Sequence, residues 1–181
     1  IDERSQTGDE ELLSVSHMTG VTSRSEKSNI YMFMAEDYTG SKLCRPNDLV
    51  FNIMWAWMGA LGVSEKAGIV SPSYGVYRQR KERTFNNWYL ENLLRSTTYV
   101  AEYNRRSTGL HSSRLRLYSN MFFDMEIAVP PREEQDEIER QTKKLVDCAD
   151  AVIGATRSEI EKLIEFRSTL IDSYVSGKIR A

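Results

Sequence analysis

The stretch from residue 130 to residue 177 constrains this chain most. It opens Pro130-Pro131-Arg132-Glu133-Glu134-Gln135, runs on as an amphipathic segment, and closes on Ser176-Gly177-Lys178-Ile179. Pro131 suits the first turn of a helix, where its missing N–H costs nothing. Glu133, Glu134, Asp136 and Glu137 place negative charge at the positive end of the helix dipole, and Gly177 is a natural stop. The spacing predicts one helix over 131–177, roughly 68 Å long for about 45 residues at 1.5 Å each. Such a helix is far longer than those of ordinary globular cores, so it reads as a spacer or a dimer seam.

The seam follows from the spacing. Ile138, Thr142, Leu145, Ala149, Val152, Thr156, Ile160, Leu163, Arg167, Leu170 and Tyr174 recur at alternating intervals of four and three, the heptad pattern of a coiled coil. Two consecutive fours at Val152, Thr156 and Ile160 break the alternation and locally unwind a supercoil. Gly154 lies inside the break, where a bend is expected. Ile153, Ile164, Phe166 and Ile171 widen the apolar stripe in the second half. With Thr142, Ala149, Thr156 and Arg167 in it, the seam is too weak for a strong stand-alone zipper. It reads as a helix packed on another long helix, in this chain or a partner. The alternative is a long helix folded back on its own domain.

The 181 residues allow one core of moderate size beside this helix. No apolar run approaches membrane-spanning length and no signal peptide is evident. Cys44 and Cys148 stand in unrelated contexts, so a reducing, cytoplasmic setting is expected rather than a disulfide framework. A chain that opens on Ile1 without a methionine reads as part of a longer protein. The net charge of −2 hides an asymmetry: residues 131–176 carry a balance of −4, and residues 66–116 a balance of +7. A local positive excess is an electrostatic footprint for phosphate backbones. Tyr74, Tyr77, Trp88, Tyr99, Tyr103 and Tyr118 are interleaved with it. A solvated charged face is the plainer account of the same residues.

Before the long helix, a mixed α/β domain is expected. Residues 11–16 read as a strand, with a turn at Gly20 and a polar loop through Arg24, Ser25 and Lys27. Residues 29–38 fit either a strand or a short helix. Pro46-Asn47-Asp48 is a turn signal, residues 49–57 read as a buried strand, and 58–63 as a hairpin or loop leading into another. Residues 68–74 continue into a strand over 75–78. Helical spacing over 85–95 places Phe85, Trp88, Tyr89 and Leu93 on one side. Residues 115–129 read as irregular structure or a short helix ending in a strand.

No catalytic constellation emerges. His17 and His111 lack companions at metal-ligand spacing, and there is no Gly-rich phosphate loop or nucleophile elbow. Ser71-Pro72-Ser73-Tyr74 lacks the amide of the Asn-Pro-Pro-Tyr motif of adenine methyltransferases and reads as a turn. Glu65 and Lys66 lack the partner carboxylate of a nuclease metal site. Neither a catalytic residue, a metal nor a cofactor is expected. Binding chemistry is better represented. Arg105-Arg106-Ser107-Thr108-Gly109-Leu110-His111-Ser112-Ser113-Arg114 reads as a basic, hydroxyl-rich loop, and Arg78, Arg80, Lys81 and Arg83 as a second cluster. Arginine forks suit guanine edges or phosphates, and hydroxyls suit phosphate oxygens. Trp55 and Trp57, alternating along the expected strand, read as core.

Three stretches then carry a resemblance. They are Asn47-Asp48-Leu49-Val50-Phe51-Asn52 running into Met54-Trp55-Ala56-Trp57-Met58-Gly59-Ala60; Gly68-Ile69-Val70-Ser71-Pro72-Ser73-Tyr74; and Pro130-Pro131-Arg132-Glu133-Glu134-Gln135 through the helix to Gly177-Lys178-Ile179. With Leu12-Leu13-Ser14-Val15-Ser16 they span nearly the whole chain in order, and the ordered set resembles the specificity subunits of type I restriction-modification systems. The resemblance implies a target recognition domain with a twisted β-sheet over 1–130, a spacer and dimerisation helix over 131–177, and a tail over 178–181. It implies a non-catalytic subunit that reads half of a two-part site in double-stranded DNA. The helix would dock the methyltransferase (modification) subunit, with a restriction subunit in the full complex.

The chain departs from that pattern in having one recognition domain and one helix, in lacking a strand ahead of residues 1–5, and in Arg180, where an acidic residue is common. It reads as a natural half-subunit or half of a longer one, and two copies pairing through the helix would form a C2 dimer for inverted half-sites. The residues expected to face DNA are Arg105, Arg106, Ser107, His111, Ser113, Arg114 and Arg116, with Lys66, Arg78, Arg80 and Lys81 nearby. The expected seam is Ile138, Leu145, Ala149, Val152, Ile160, Leu163, Leu170 and Tyr174. A coiled-coil scaffold without DNA binding is the competing reading.

Overall fold

The fold is organised around strand β4 (Leu49–Phe51), which is buried on both faces. The computed structural model describes residues 1–26, 37–109, 111 and 115–179; most of the 29–38 segment lies outside them. Leu49 and Phe51 point into one core with Leu61, Leu90, Leu94, Tyr103, Leu117 and Phe122. Val50 points the other way, into a second core with Leu13, Val15, Cys44, Val70 and Val76. The period-two alternation of a strand thus supplies both cores from three consecutive residues.

Among the described residues the expected sheet is divided into three small antiparallel ones. β1 (Leu13–Ser16) pairs with β2 (Gly20–Ser23), and β3 (Lys42–Cys44) with β6 (Gly68–Val70). β4 lies between β5 (Leu61–Val63) and β7 (Gly75–Tyr77). Gly62 of β5 is required by packing: a Cβ there would sit 2.8 Å from the Val21 backbone nitrogen.

The strand expected over 49–57 stops at Phe51. The Asn52 side-chain oxygen accepts the Met54 N–H at 3.2 Å, and the Asn52 carbonyl accepts the Trp55 N–H at 3.0 Å. These bonds start a turn that continues as a short 3-10 helix, Ala56–Met58, closed by Gly59 at φ 82°. The chain then returns antiparallel, with Asn52 N–H on the Ala60 carbonyl at 3.0 Å. An asparagine able to bond its own following backbone competes with the strand ladder, and here it prevails.

Three helices follow. α1 (Asn87–Leu94) is capped by Asn86, whose side chain accepts the Tyr89 N–H at 3.0 Å. It begins two residues later than the spacing implied and buries Tyr89, Leu90 and Leu94, while Phe85, ahead of the helix, packs half-buried against the same core and Trp88 and Leu93 are only partly covered. α2 (Thr97–Arg106) was not anticipated; its weakly apolar sequence buries only Tyr103, whose Oη donates to the Leu94 carbonyl at 2.7 Å. α3 (Ser119–Phe123) is a single short helix, and no strand follows it among the described residues, although Met125 is buried.

α4 (Arg132–Val175) is one helix of 44 residues, unbroken at Gly154. Glycine lowers helix propensity without ending the helix. The chain forms two units, Ile1–Asp136 and Glu137–Ala181, so the first turn of α4 belongs to the first. There Gln135 is fully buried. Its Oε1 accepts the Asn86 N–H at 2.8 Å, while Nε2 donates to the Thr84 carbonyl at 3.0 Å and the Pro130 carbonyl at 2.8 Å. Asn86 Nδ2 donates to Asp136 at 2.6 Å, and Arg132 bonds both Asp136 at 2.8 Å and the Phe85 carbonyl at 3.1 Å. In the second unit the helix ends at Gly177, in the left-handed conformation at φ 74°, as a C-terminal stop requires.

Replacing Gln135 by Ala strips partners from three main-chain groups at a buried site. A loss of about 3 kcal/mol is expected in urea unfolding of the full chain.

Candidate nucleic-acid interface

The two basic clusters are built differently. Arg105 and Arg106 are not in a loop; they form the last turn of α2, where positive charge favours the helix dipole. Both reach back to Glu102 one turn earlier. Arg105 Nε and a terminal nitrogen donate to its two carboxylate oxygens at 3.0 and 2.7 Å, and Arg106 Nε donates at 2.9 Å. These hydrogen bonds hold the Glu102 carboxyl down at about 2. Two cations share one carboxylate, so the helix end retains a positive balance.

Beyond the helix, Ser107 donates its N–H to the Tyr103 carbonyl at 2.8 Å. Its Oγ is buried and has no partner among the described residues. Thr108 and Arg116 exchange both main-chain hydrogen bonds, at 3.1 and 2.9 Å. Arg116 and His111 are exposed. Ser113 and Arg114 lie outside the described residues.

The second cluster divides. Arg78, just after β7, forms a two-pronged ion pair with Asp48, just before β4: Nε to Oδ1 and a terminal nitrogen to Oδ2, each at 2.7 Å. Asp48 is fully buried and also accepts the Arg45 N–H at 2.8 Å. Arg78 reaches Glu3 as well, at 3.3 Å, and the Asp48 carboxylate raises its pKa further above the usual range. This arginine clamps the ends of two neighbouring strands, and its fork is already occupied. Lys66 is similarly engaged, with Glu26 at 2.7 Å and Glu11 at 3.8 Å, chiefly through the hydrogen bond to Glu26 that raises its pKa. Arg80 and Lys81 are exposed and pair with no carboxylate among the described residues. No hydrogen bond or ion pair among these residues joins the Lys66 to Lys81 group to the Arg105 to Arg116 group.

The structure adds residues that sequence reasoning set aside as core. The turn after β4 leaves Trp55 49% exposed, with Trp57 half-buried beside it. The two rings lie nearly parallel at 17°, centroids 6.3 Å apart. This turn is tied to the first basic group: Asn104 of α2 donates to the Trp57 carbonyl at 2.6 Å, and Leu117 N–H to the Ile53 carbonyl at 3.1 Å. Asn52 and Gly59 at the ends of the Trp segment were the available signals of a turn.

In the second unit the seam residues are exposed. Leu145, Val152, Ile160, Leu163 and Tyr174 are 51–71% accessible and Ile138 and Leu170 about half that, 37% and 36%. Ala149 is exposed too. Val146, Ile153, Ile164, Phe166 and Ile171 are exposed alongside them. Among the described residues no group of three His, Cys, Asp or Glu side chains is placed to hold a metal ion, and no helix is long and apolar enough to cross a membrane. Compared with known proteins, the chain matches no family model and no curated sequence.

Removing the arginine of the buried pair leaves Asp48 uncompensated, so Arg78→Ala is expected to destabilise the domain by about 3 kcal/mol in chemical denaturation. Arg80→Ala, on the exposed and unpaired neighbour, is expected to leave stability within about 0.5 kcal/mol. The Glu102 carboxyl titrates near 2 when folded and higher when unfolded. Its contribution is therefore present above pH 4.5, the ordinary value, and lost as pH falls toward 2. Carboxyl NMR titration is expected to find Glu102 still ionised well below pH 4.5, its ordinary value, and Glu102→Gln to flatten stability over that window.

Proposed function

We propose that this chain is a non-catalytic, cytoplasmic DNA-recognition subunit, or half-subunit, of a type I restriction-modification complex. Residues 1–130 read one half-site in double-stranded DNA. The helix over 131–177 pairs with a second long helix, from another copy or another half, and docks the methyltransferase subunit; a restriction subunit joins in the full complex. The observation that carries this reading is an unpartnered apolar stripe along α4, in the same chain as a small domain bearing exposed arginines. Seven seam residues lie 36–71% open to water, and burying each large one stabilises an assembly by about 1.5–3 kcal/mol. The ordered resemblance across the chain supports the same assignment.

In this reading Arg105, Arg106 and Arg116 supply the phosphate and base contacts, together with Ser107, His111, Ser113 and Arg114. Arg80 and Lys81 extend the positive surface. A scaffold that only dimerises is the second reading, favoured by the engagement of Lys66, Arg78, Arg105 and Arg106 with acidic neighbours.

Co-expression with a type I modification subunit, in a methylation-free host, separates the two. Genome-wide mapping is expected to find methyladenine at one motif with two identical inverted halves. In vitro, binding to duplex DNA is expected to weaken steeply with salt. Arg105→Ala and Arg106→Ala are each expected to cost about 1–3 kcal/mol of affinity. A soluble complex that methylates nothing, with no salt-sensitive binding, sinks the recognition reading in favour of the scaffold.

A further inference from the structure

The exposed indole of Trp55 has no part in the reading so far. A lone tryptophan on a loose loop needs no explanation, but this one is held by a built turn. Its N–H donates to the Asn52 carbonyl at 3.0 Å, and its carbonyl accepts from Met58 at 3.0 Å and Ala60 at 3.2 Å. Asn52 is itself buried, with its Nδ2 on the Tyr74 hydroxyl at 2.9 Å. Ala56, the next residue, is completely buried and fixes the turn from beneath. Trp57 lies alongside, its indole N–H on the Met54 carbonyl at 3.0 Å. Rigid backbone thus holds a large aromatic surface in water.

Cations stand next to the anchor points of this turn. Asn104, which donates to the Trp57 carbonyl, immediately precedes Arg105 and Arg106. Leu117, which donates to the Ile53 carbonyl, immediately follows Arg116. An exposed, rigidly held aromatic face, on a turn hydrogen-bonded to residues next in sequence to Arg105 and Arg116, suits one ligand chemistry well: a nucleobase stacked on the ring, with its phosphates on the arginines. An intact duplex presents base edges in its grooves while neighbouring pairs cover the base faces. A free face exists only where a base has left the stack.

We infer that Trp55 is a stacking platform for an unpaired nucleobase, so that this chain binds locally opened DNA more tightly than intact duplex. The inference rests on the DNA-binding reading proposed above and adds to it a preference which that reading does not contain.

The test compares a mixed-sequence duplex with the same duplex carrying one unpaired thymine, each titrated with the full chain at moderate salt. The unpaired base is expected to tighten binding roughly tenfold and to quench tryptophan emission. In W55A the ratio of the two affinities is expected to fall to near one, while W55F retains most of the preference. Matching thermal unfolding of both variants and the parent checks that the fold is intact. If the parent chain binds both duplexes equally, or if W55A keeps the full preference, the stacking role is overturned and DNA recognition stands. If the parent chain binds neither, DNA recognition itself fails and the stacking role with it.

Discussion

A buried amide holds the first unit together where the long helix begins. Gln135 fills a position from which water is excluded, and both ends of its side chain are used. One accepts from the N-cap residue of α1; the other donates to carbonyls on either side of the connection. A buried amide without those bonds is strongly unfavourable, and with them it permits one arrangement. Asn86 consequently serves two helices, capping α1 with its oxygen and bonding Asp136 of α4 with its nitrogen. That bond, with the one from Arg132, lowers the pKa of Asp136. The start of the long helix is thus set by polar groups that can pair in few ways, and the apolar residues then pack around them.

The same economy governs the charges. A balance of +7 over residues 66–116 looks like a broad positive surface in one dimension, yet much of it is spent within the fold. Arg78 compensates a carboxylate that cannot reach water, and Lys66 holds two acidic side chains. Opposite charges at such distances cancel each other's field beyond a few ångströms of salt solution. What remains for an outside partner is concentrated at the end of α2 and on Arg116, Arg80 and Lys81. The aromatic turn is joined by two hydrogen bonds to Asn104 and Leu117, the sequence neighbours of Arg105 and Arg116.

The second unit follows a different logic. α4 beyond Asp136 has no core of its own, and its large apolar side chains stay in contact with water. Helices of this length gain most of their stability from packing against other elements rather than from propensity. Thr142, Ala149, Thr156 and Arg167 interrupt that apolar stripe, and polar residues at such positions cost a helix pair stability.

The long helix was legible from sequence alone, down to its first turn and its glycine stop, because periodicity, dipole-matched charge and capping residues are all local signals. The turn at Asn47 and Asp48, the strands near Leu49, Gly68 and Gly75, and the helix near Trp88 were legible for the same reason. α2 was not: it buries one side chain completely, and its polar average composition hid the short apolar face of Tyr99, Val100 and Tyr103. The Trp segment misled because alternating large residues fit a strand, while the Asn52 bonds to Met54 and Trp55 that end the strand are a local competitor of that pattern. Nor could spacing reveal that Arg78 meets Asp48 across two strands, or that Glu102 gathers Arg105 and Arg106, which turned a reading of free cations into one of largely paired ones. Sequence by itself determined the long helix, several of the strands and turns, and which face of α4 is apolar, since those follow from neighbours along the chain. Only the tertiary structure decided which charges and aromatics remain available, because that depends on partners brought together from distant positions.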